Sequence, residues 1–274
     1  MYDKIFKPKK LVLDSGEVVY EKATRTPIVW LIFIALLIFS LKFTNFQFSA
    51  LIERGSNFFD MLKRMVPPDT DYLPKVIKPL LDTIKMSFIG SILGSILAIP
   101  FAILASSNIV HNILINKIVR VLFTFLRTLP TLVTALIATY IFGLGTFAGT
   151  LAIFIFSFSY MGKQMFEVIE TVDMGAFEAM ESMGATKLKA FTFAIAPQIM
   201  PIYLSTTLFN FEGNVRYAAI LGYVGAGGIG MILNDRVNNR DYTSVGMILL
   251  ALLVTVMTIE LVSQVIRRKL TQGG

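Results

Sequence analysis

Long stretches without any Asp, Glu, Lys or Arg constrain this chain more than any other feature of its sequence. A helix needs about 20 mostly apolar residues to cross the hydrocarbon core of a bilayer, which is about 30 Å thick. The charge-free stretches cover residues 26–41, 86–116, 128–162, 190–211, 217–234 and 242–259. The charged fraction is 16%, whereas soluble domains contain roughly 25%. The sequence therefore predicts a polytopic membrane protein.

We predict an all-α fold with about six transmembrane helices. The stretch 128–162 is too long for one span, and Gly143, Gly145 and Gly149 mark the turn between two. The stretch 217–234 contains five glycines, each of which destabilises a helix interior by about 1 kcal/mol relative to Ala. We expect it to be partly helical and partly re-entrant. The predicted crossings lie at about 27–43, 86–107, 118–142, 146–162, 191–212 and 243–266.

The basic residues predict how these spans are oriented. Six crossings put both termini on one side, and with that side inside the cell 14 Lys and Arg residues lie inside and 9 outside. This bias has the sign of the positive-inside rule. The inner set includes Lys4, Lys7, Lys22 and Arg25 of the N-terminal tail. We therefore expect cytoplasmic termini, and we attribute the net charge of +7 to membrane flanks, with no nucleic acid as partner.

The residue types exclude several kinds of chemistry. The chain has no cysteine and one histidine, so thiolate sites and histidine clusters are excluded. Residues 225–230 fit G-x-G-x-x-G, but the strand, helix and acidic residue of a dinucleotide site are missing. No G-x-x-x-x-G-K-[ST] motif is present. We therefore expect a transport protein, not an enzyme, whose energy comes from an ion gradient or from a partner.

Two other segments lie outside the predicted spans. The outer loop 44–85 has apolar and charged residues at helical spacing, which predicts an amphipathic helix on the membrane surface. The inner loop 163–189 carries five acidic residues and breaks at Gly175 and Gly184, which predicts two short helices. A short helix with small side chains can insert between the lobes of another protein. A solvated connector fits these residues equally well.

The inner loop also resembles a known element. Glu178, Ala179 and Gly184 follow the order E-A-x-x-x-x-G, and Pro197 and Pro201 follow as P-x-x-x-P. This order resembles the EAA loop of ABC importer permeases, although Met180 replaces the usual second Ala. Residues 81–84, 127–130, 173–179 and 185–188, and Arg216 with the glycine run 222–230, are similar to phosphonate-type permease subunits.

The resemblance implies a fold, a function and partners. The fold is that of an ABC importer type I permease, and the function is import of a phosphonate or a related phosphorus oxyanion across a bacterial plasma (inner) membrane by alternating access. The implied assembly is a homodimer in membrane lipid, with two copies of a cytoplasmic ABC ATPase subunit and an extracytoplasmic phosphonate-binding protein. ATP and Mg²⁺ would bind the ATPase, so this chain would need no cofactor or metal.

The resemblance also divides the chain and assigns residues. Residues 1–80 would form the cytoplasmic tail, the first transmembrane helix and the outer amphipathic loop. Residues 81–274 would form the permease transmembrane domain, with the coupling loop at about 163–190. The expected coupling residues are Gly175, Glu178, Ala179, Glu181, Gly184 and Ala185.

Arg127 is a candidate residue of the substrate path. It interrupts the predicted third span near its middle, where an arginine costs about 2.5 to 3.5 kcal/mol on insertion scales and usually faces a cavity or a partner. Pro130 should kink the helix there. A structural alternative is that Arg127 pairs with Glu212 or with a helix end.

Arg216 and the glycines Gly225, Gly227 and Gly228 are the other candidates for the substrate path or gate. Arg216 can pair with Glu212, close a gate or meet the substrate. The glycine N–H groups can form an anion-binding nest, or the small residues can permit tight packing at a dimer seam. We favour packing or gating.

An ion-coupled secondary transporter of small anions is the alternative function. Such proteins commonly place carboxylates or histidines in the middle of the membrane. Glu212 and Glu260 are predicted near span ends, which disfavours this alternative. The residues leave open whether the anion is a phosphonate, phosphite or phosphate.

Overall fold

The structure, a computed structural model, describes residues 9–12, 17–21 and 26–272. The predicted inner residues Lys4, Lys7, Lys22 and Arg25 lie outside the described residues. The chain consists of two compact units, Met1–Asp60 and Met61–Gly274.

The first unit contains a hairpin and an apolar helix. Strand β1 (Lys9–Val12) pairs antiparallel with β2 (Val18–Glu21). The prediction of an all-α fold missed these strands, because four residues are too few for a recognisable alternation. Helix α1 (Thr26–Phe43) has no buried residue and coincides with the first predicted crossing. Helix α2 (Phe48–Arg64) starts in this unit and exposes Ile52, Phe58 and Phe59, as expected of a membrane-surface helix.

The second unit is helical. It contains a 3₁₀ turn at Thr70–Tyr72, a π turn at Phe191–Ile195 and a second 3₁₀ turn at Gly222–Val224. Its helices are α3 (Leu73–Ala105), α4 (Ile113–Thr128), α5 (Thr131–Phe142), α6 (Thr146–Glu170), α7 (Gly175–Ser182), α8 (Lys187–Ala190), α9 (Ala196–Leu221), α10 (Ile229–Asn238) and α11 (Tyr242–Gln272).

Several helices can cross a membrane. Among the described residues, three are long and apolar enough: Thr26–Phe43, Thr70–Ala105 and Tyr242–Leu270. The number rises to five if each of two bent pairs crosses as one span, namely Ile113–Thr128 with Thr131–Phe142 and Lys187–Val224 with Ile229–Asn238. Five of the six predicted crossings fall on these helices and bent pairs, and the sixth does not. The crossing at 146–162 lies on α6, whose apolar run is interrupted by small and hydroxylated residues.

The bend between α4 and α5 differs from the prediction of one kinked span at 118–142. The two helices meet at 87°. Pro130 is the N-cap of α5, and Leu129 before it has an extended backbone, because proline disfavours the helical conformation of the preceding residue. Arg127 therefore lies in the last turn of α4 and not in the middle of a helix.

Two other helix bounds also differ from prediction. Helix α3 begins at Leu73, well before the predicted start at 86, because a charge-free stretch marks only the part suited to lipid. Helix α9 continues past the predicted end at 212 to Leu221. Glu212 is therefore inside a helix, and its prediction near a span end is wrong.

Helix α6 is the central helix of the second unit, since 12 of its 25 residues are buried. Helix α3 packs closely against it at two glycines. A Cβ atom at Gly90 would lie 2.9 Å from Thr150 O, and one at Gly94 would lie 2.7 Å from Phe154 O. Helix α4 approaches α6 at Gly162, which packs against the Phe123 ring. Small side chains thus allow three helices to approach closely, as is common in membranes.

The α3–α6 contact leads to a stability prediction. We expect Gly94→Ala to destabilise the fold by about 1–3 kcal/mol, because its Cβ meets backbone atoms that cannot move aside easily. Gly55→Ala in α2 is the matched control, since a Cβ there has no neighbour within 4 Å. Thermal unfolding of the purified chain in detergent measures both. An unchanged melting temperature for Gly94→Ala would contradict the close approach.

Candidate functional site

The segment between α6 and α9 presents a short helix with one buried side and one exposed side. Phe177 of α7 is only 2% exposed and anchors it in the hydrophobic core. Glu178 and Ala179 are exposed, and Met183 after the helix is 78% exposed. An exposed face of this kind can bind another protein while the buried side holds the helix in place.

Gly184 lies just after the end of this helix and terminates it, as the sequence predicts. Its φ is +86°, in the left-handed region that favours glycine, and a Cβ there would meet nothing within 4 Å. The other predicted break, Gly175, is instead the first residue of α7, and the Asp173 carboxylate accepts its N–H at 2.9 Å. Glu181 and Ala185 are partly buried. The structure thus brings all six predicted coupling residues together on or beside α7.

Three side chains connect the α7 segment, which is residues 171–195 between α6 and α9, with the helices and the turn next to it. Asn108 Nδ2 donates to Ile169 O at 2.8 Å. Lys187 Nζ donates to Ile109 O at 3.2 Å, and Gln198 Nε2 donates to Asp173 O at 3.3 Å. These contacts join the α3–α4 turn, the end of α6, α8 and α9. The residues on both sides of α7 are therefore linked to α6, to α9 and to the α3–α4 turn.

Glu170, the last residue of α6, forms a polar cluster that the sequence analysis missed. The N–H of Ser107 donates to its Oε1 at 2.8 Å, and the Arg120 guanidinium forms an ion pair with the same oxygen. Arg120 also donates from Nε to Ala105 O at 2.8 Å and lies over the Phe166 ring. Nothing in the spacing of Arg120 and Glu170, 50 residues apart, predicts that they meet.

The cluster changes the acidity of Glu170. Partial burial favours the neutral acid, but hydrogen bonds from Ser107 and the charge and hydrogen bond of Arg120 outweigh it, so the pKa of Glu170 is lowered from its ordinary value of 4.5. The carboxylate is therefore ionised at neutral pH and links α3, α4 and α6.

A cavity of about 330 Å³ lies between α6 and α9. Its lining is formed by Phe156, Tyr160, Phe209, Asn210, Gly213, Asn214, Arg216 and Tyr217. Behind Arg216, the Glu212 carboxylate is 4% exposed; it forms ion pairs with Arg216 and with Arg267 of α11, the latter at 3.5 Å. This arrangement realises the predicted pairing of Arg216 with Glu212.

A second polar contact holds the same helices together. The side chain of Asn214, 1% exposed, donates to Ser91 Oγ at 2.8 Å and to Ser157 Oγ at 2.9 Å. Its backbone oxygen accepts from the Ser87 hydroxyl at 3.3 Å. One asparagine thus joins α3, α6 and α9 next to the cavity. Because lipid offers no hydrogen bonds, polar groups in a membrane need partners of this kind within the protein.

The other predicted path residues lie elsewhere. Arg127 is exposed near the α4–α5 bend, as is Pro130, and neither lines the cavity. The alternative pairing of Arg127 with Glu212 is not formed, because Glu212 pairs with Arg216. Gly227 packs against residues 145–146, and Gly228 against Thr83 and Met86.

The glycine run is also occupied by internal hydrogen bonds. The N–H of Gly225 donates to Gly222 O at 3.0 Å, and that of Ile229 donates to Thr83 Oγ1 at 2.7 Å. Gly225, Gly227 and Gly228 have φ values of +77°, +83° and +71°. This placement favours the packing interpretation over an anion-binding nest.

The chain matches the family described as binding-protein-dependent transport system inner membrane component over residues 98–273. The matched range contains both the α7 segment and the cavity. The chain belongs to this family. By its description, this is a family of membrane transport components.

Several curated relatives are named for the transport of phosphorus oxyanions. The phosphate-import permease protein PhnE of Mycolicibacterium smegmatis is 31% identical over 224 residues, which are 82% of this chain and 42% of that protein. The phosphite transport system permease protein PtxC of Stutzerimonas stutzeri is 33% identical over 203 residues, 74% of each chain. The match thus spans less than half of the first relative and about three quarters of the second.

A solved structure confirms the predicted permease-like fold. The inward-facing MetNI methionine ABC transporter matches 74% of this chain and 99% of its own, with a TM-score of 0.66 and 20% identity. At this identity the likeness concerns the fold alone.

The Glu170 cluster leads to a prediction about pH. Glu170→Gln is expected to lower the free energy of unfolding of this protein by about 1–2 kcal/mol at pH 7, because it removes the charge that pairs with Arg120. Because the folded-state pKa is lowered, this contribution is present above the ordinary value of 4.5 and is lost as pH falls through the folded-state pKa. The melting temperatures of wild type and variant should therefore converge at acidic pH.

Glu167→Gln is the matched control, because Glu167 is half exposed and pairs only with Lys163 at 3.5 Å. It should change the melting temperature little at any pH. If the melting temperatures of wild type and Glu170→Gln differ by the same amount at pH 7 and at pH 3.5, the ionised Glu170 does not contribute to stability as described.

Proposed function

We propose that this chain is the membrane-spanning permease subunit of an ATP-binding-cassette importer for a phosphonate or related phosphorus oxyanion. The observation that carries this proposal is the exposed face of α7, with Glu178, Ala179 and Met183, in a chain of the binding-protein-dependent transport family. The names of the relatives from M. smegmatis and S. stutzeri support the substrate class.

The coupling loop at about 163–190 would transmit the work of the ATPase. ATP and Mg²⁺ bind the ATPase, and closure of two ATPase copies displaces α7. Hydrogen bonds of Asn108, Lys187 and Gln198 carry that displacement to α3, α6 and α9. The helices then open the path outward, and hydrolysis resets them. Gly175, Glu181, Gly184 and Ala185 keep the exposed helix short and in place.

The proposed assembly contains two copies of this chain, two cytoplasmic ATPase subunits and an extracytoplasmic binding protein that delivers the anion. Exposed apolar side chains of α5, such as Leu136 and Ile137, suit contact with lipid or a second copy. The excess of basic residues in the predicted inner segments supports cytoplasmic termini in a bacterial plasma membrane. In this proposal residues 81–274 form the transport domain.

The proposed path passes the α4–α5 bend and the cavity. Arg127 and Pro130 lie at the bend, where two helix ends leave backbone groups available. Arg216 lines the cavity. Gly225, Gly227 and Gly228, which pack against Leu144, residues 145–146 and Thr83, serve as a gate hinge.

Ion-coupled secondary transport of small anions is less well supported. Glu212 is a carboxylate inside a helix, as such transporters require. However, its carboxylate is already engaged in ion pairs with two arginines, Arg216 and Arg267. The family is also binding-protein-dependent.

The coupling assignment predicts a specific assembly defect. Glu178→Arg is expected to reduce co-purification of the ATPase subunit at least tenfold, because it reverses an exposed charge at the docking face. Asp71→Arg, the same charge change at an exposed site outside the loop, is the control. Both variants should insert into the membrane equally. Wild-type recovery of the ATPase with Glu178→Arg would refute docking through α7.

The energy source gives a second prediction. Uptake of phosphite, phosphate or methylphosphonate into proteoliposomes that contain the whole complex should require ATP and persist when an uncoupler removes ion gradients. Uptake that stops with the uncoupler while ATP is held constant would instead support the secondary transporter.

A further inference from the structure

The cavity between α6 and α9 has a positively charged lining. Of the described residues that line it, Arg216 alone has a formal charge. The nearby carboxylate, Glu212, is shared between Arg216 and Arg267. The side chain of Arg216 is exposed to the cavity while the Glu212 carboxylate is almost fully buried, so the cavity presents a positive charge and favours an anion over a cation.

Arg216 is oriented for a ligand in addition to Glu212. Its side chain is 52% exposed, whereas that of Glu212 is 4% exposed, so the ion pair fixes one end of the guanidinium and leaves the rest accessible. A guanidinium has five N–H donors. Among the described residues, Glu212 is the one hydrogen bond partner of Arg216. The remaining donors suit a multidentate oxyanion.

Asn210 supplies a second donor. It lies on the same side of α9 as Asn214 and Tyr217, lines the cavity and is only 5% exposed. Its Nδ2 has no hydrogen bond partner among the described residues. A buried amide donor without a partner is unfavourable, and an acceptor oxygen in the cavity would provide that partner.

The aromatic walls set the shape of the cavity. The rings of Phe156 and Tyr160 stack with their centroids 5.8 Å apart, and the centroids of the Tyr217 and Phe156 rings are 6.2 Å apart. One water occupies about 30 Å³ in the liquid, so a cavity of about 330 Å³ holds a small oxyanion with several waters. The aromatic faces can contact an alkyl group.

We propose that this cavity is an intramembrane binding site for a phosphorus oxyanion. Arg216 and Asn210 contact the anion, and Glu212 is a positioning residue that holds Arg216. The choice of phosphorus oxyanion rests on the proposed function, whereas the preference for an anion rests on the cavity. A free anion and a phospholipid headgroup share this chemistry.

Direct binding tests the site. The full chain, purified in a maltoside detergent, is titrated with inorganic phosphate, phosphite and methylphosphonate by calorimetry. At least one should bind, and Arg216→Gln should weaken it about tenfold or more, as expected for the loss of charged hydrogen bonds. Arg216→Lys keeps the charge without the planar guanidinium, so its affinity for the anion should lie between those of wild type and Arg216→Gln. Arg54→Gln, at an exposed site in α2, is the charge-matched control and should bind like wild type.

Glu212→Gln separates positioning from simple structural support. The glutamine amide oxygen can still accept a hydrogen bond from Arg216 and hold it, while the negative charge that competes with the anion is removed, so the anion should bind several-fold more tightly. A purely structural role would give weaker binding, and that result would overturn the role of Glu212. Asn210→Leu, which has a similar size and no donor, should weaken binding and provides a second test if Arg216→Gln unfolds.

Native mass spectrometry distinguishes the two sources of the anion. A phospholipid that co-purifies with wild type, is lost in Arg216→Gln and is not displaced by the free anions assigns the site to a headgroup. Calorimetric binding that depends on Arg216 assigns it to a free anion. If folded Arg216→Gln and Asn210→Leu bind both ligands like wild type, the site is overturned.

Transport measurements keep this proposal separate from the proposed function. If ATP-driven uptake by the whole complex is unchanged in Arg216→Gln, the cavity lies off the path while the permease function stands. If the purified chain binds the anion through Arg216 but the complex does not transport it, the site stands and the permease function fails.

Discussion

The close contact between α3 and α6 is the interaction on which the second unit depends. Because lipid provides no hydrogen bonds, helices in a membrane associate through tight packing and a few internal polar contacts. Gly90 and Gly94 permit that packing, and Asn214 adds hydrogen bonds to Ser91 and Ser157. These bonds bring α9 to the same pair of helices. The position of the cavity between α6 and α9 follows from this arrangement.

The sequence predicts some features well because they depend on local physical chemistry. The length of an apolar run indicates a crossing, and α1 coincides with its predicted span. The break at Gly184 depends on a backbone conformation that glycine adopts readily. The family and the short exposed helix α7 are likewise recognisable from residues near Glu178. These signals need no knowledge of distant neighbours.

Other features depend on contacts that the sequence does not encode locally. Glu170 meets Ser107 and Arg120 only after α3, α4 and α6 pack together. A charge-free run also ends at the first charge, whereas a helix continues when that charge finds partners in the fold. Glu212 shows this, since two arginines accommodate it inside α9. The 87° bend near Pro130 depends on where α5 packs, so the proline alone indicates only a change of direction.

The three hydrogen bonds around the α7 segment have a consequence for evolution. Asn108, Lys187 and Gln198 all donate to main-chain oxygens, at Ile169, Ile109 and Asp173. A main-chain acceptor is present whatever side chain the residue carries. The accepting positions can therefore change their residue type without breaking the linkage, and natural variation at the contact should be restricted mainly on the donor side.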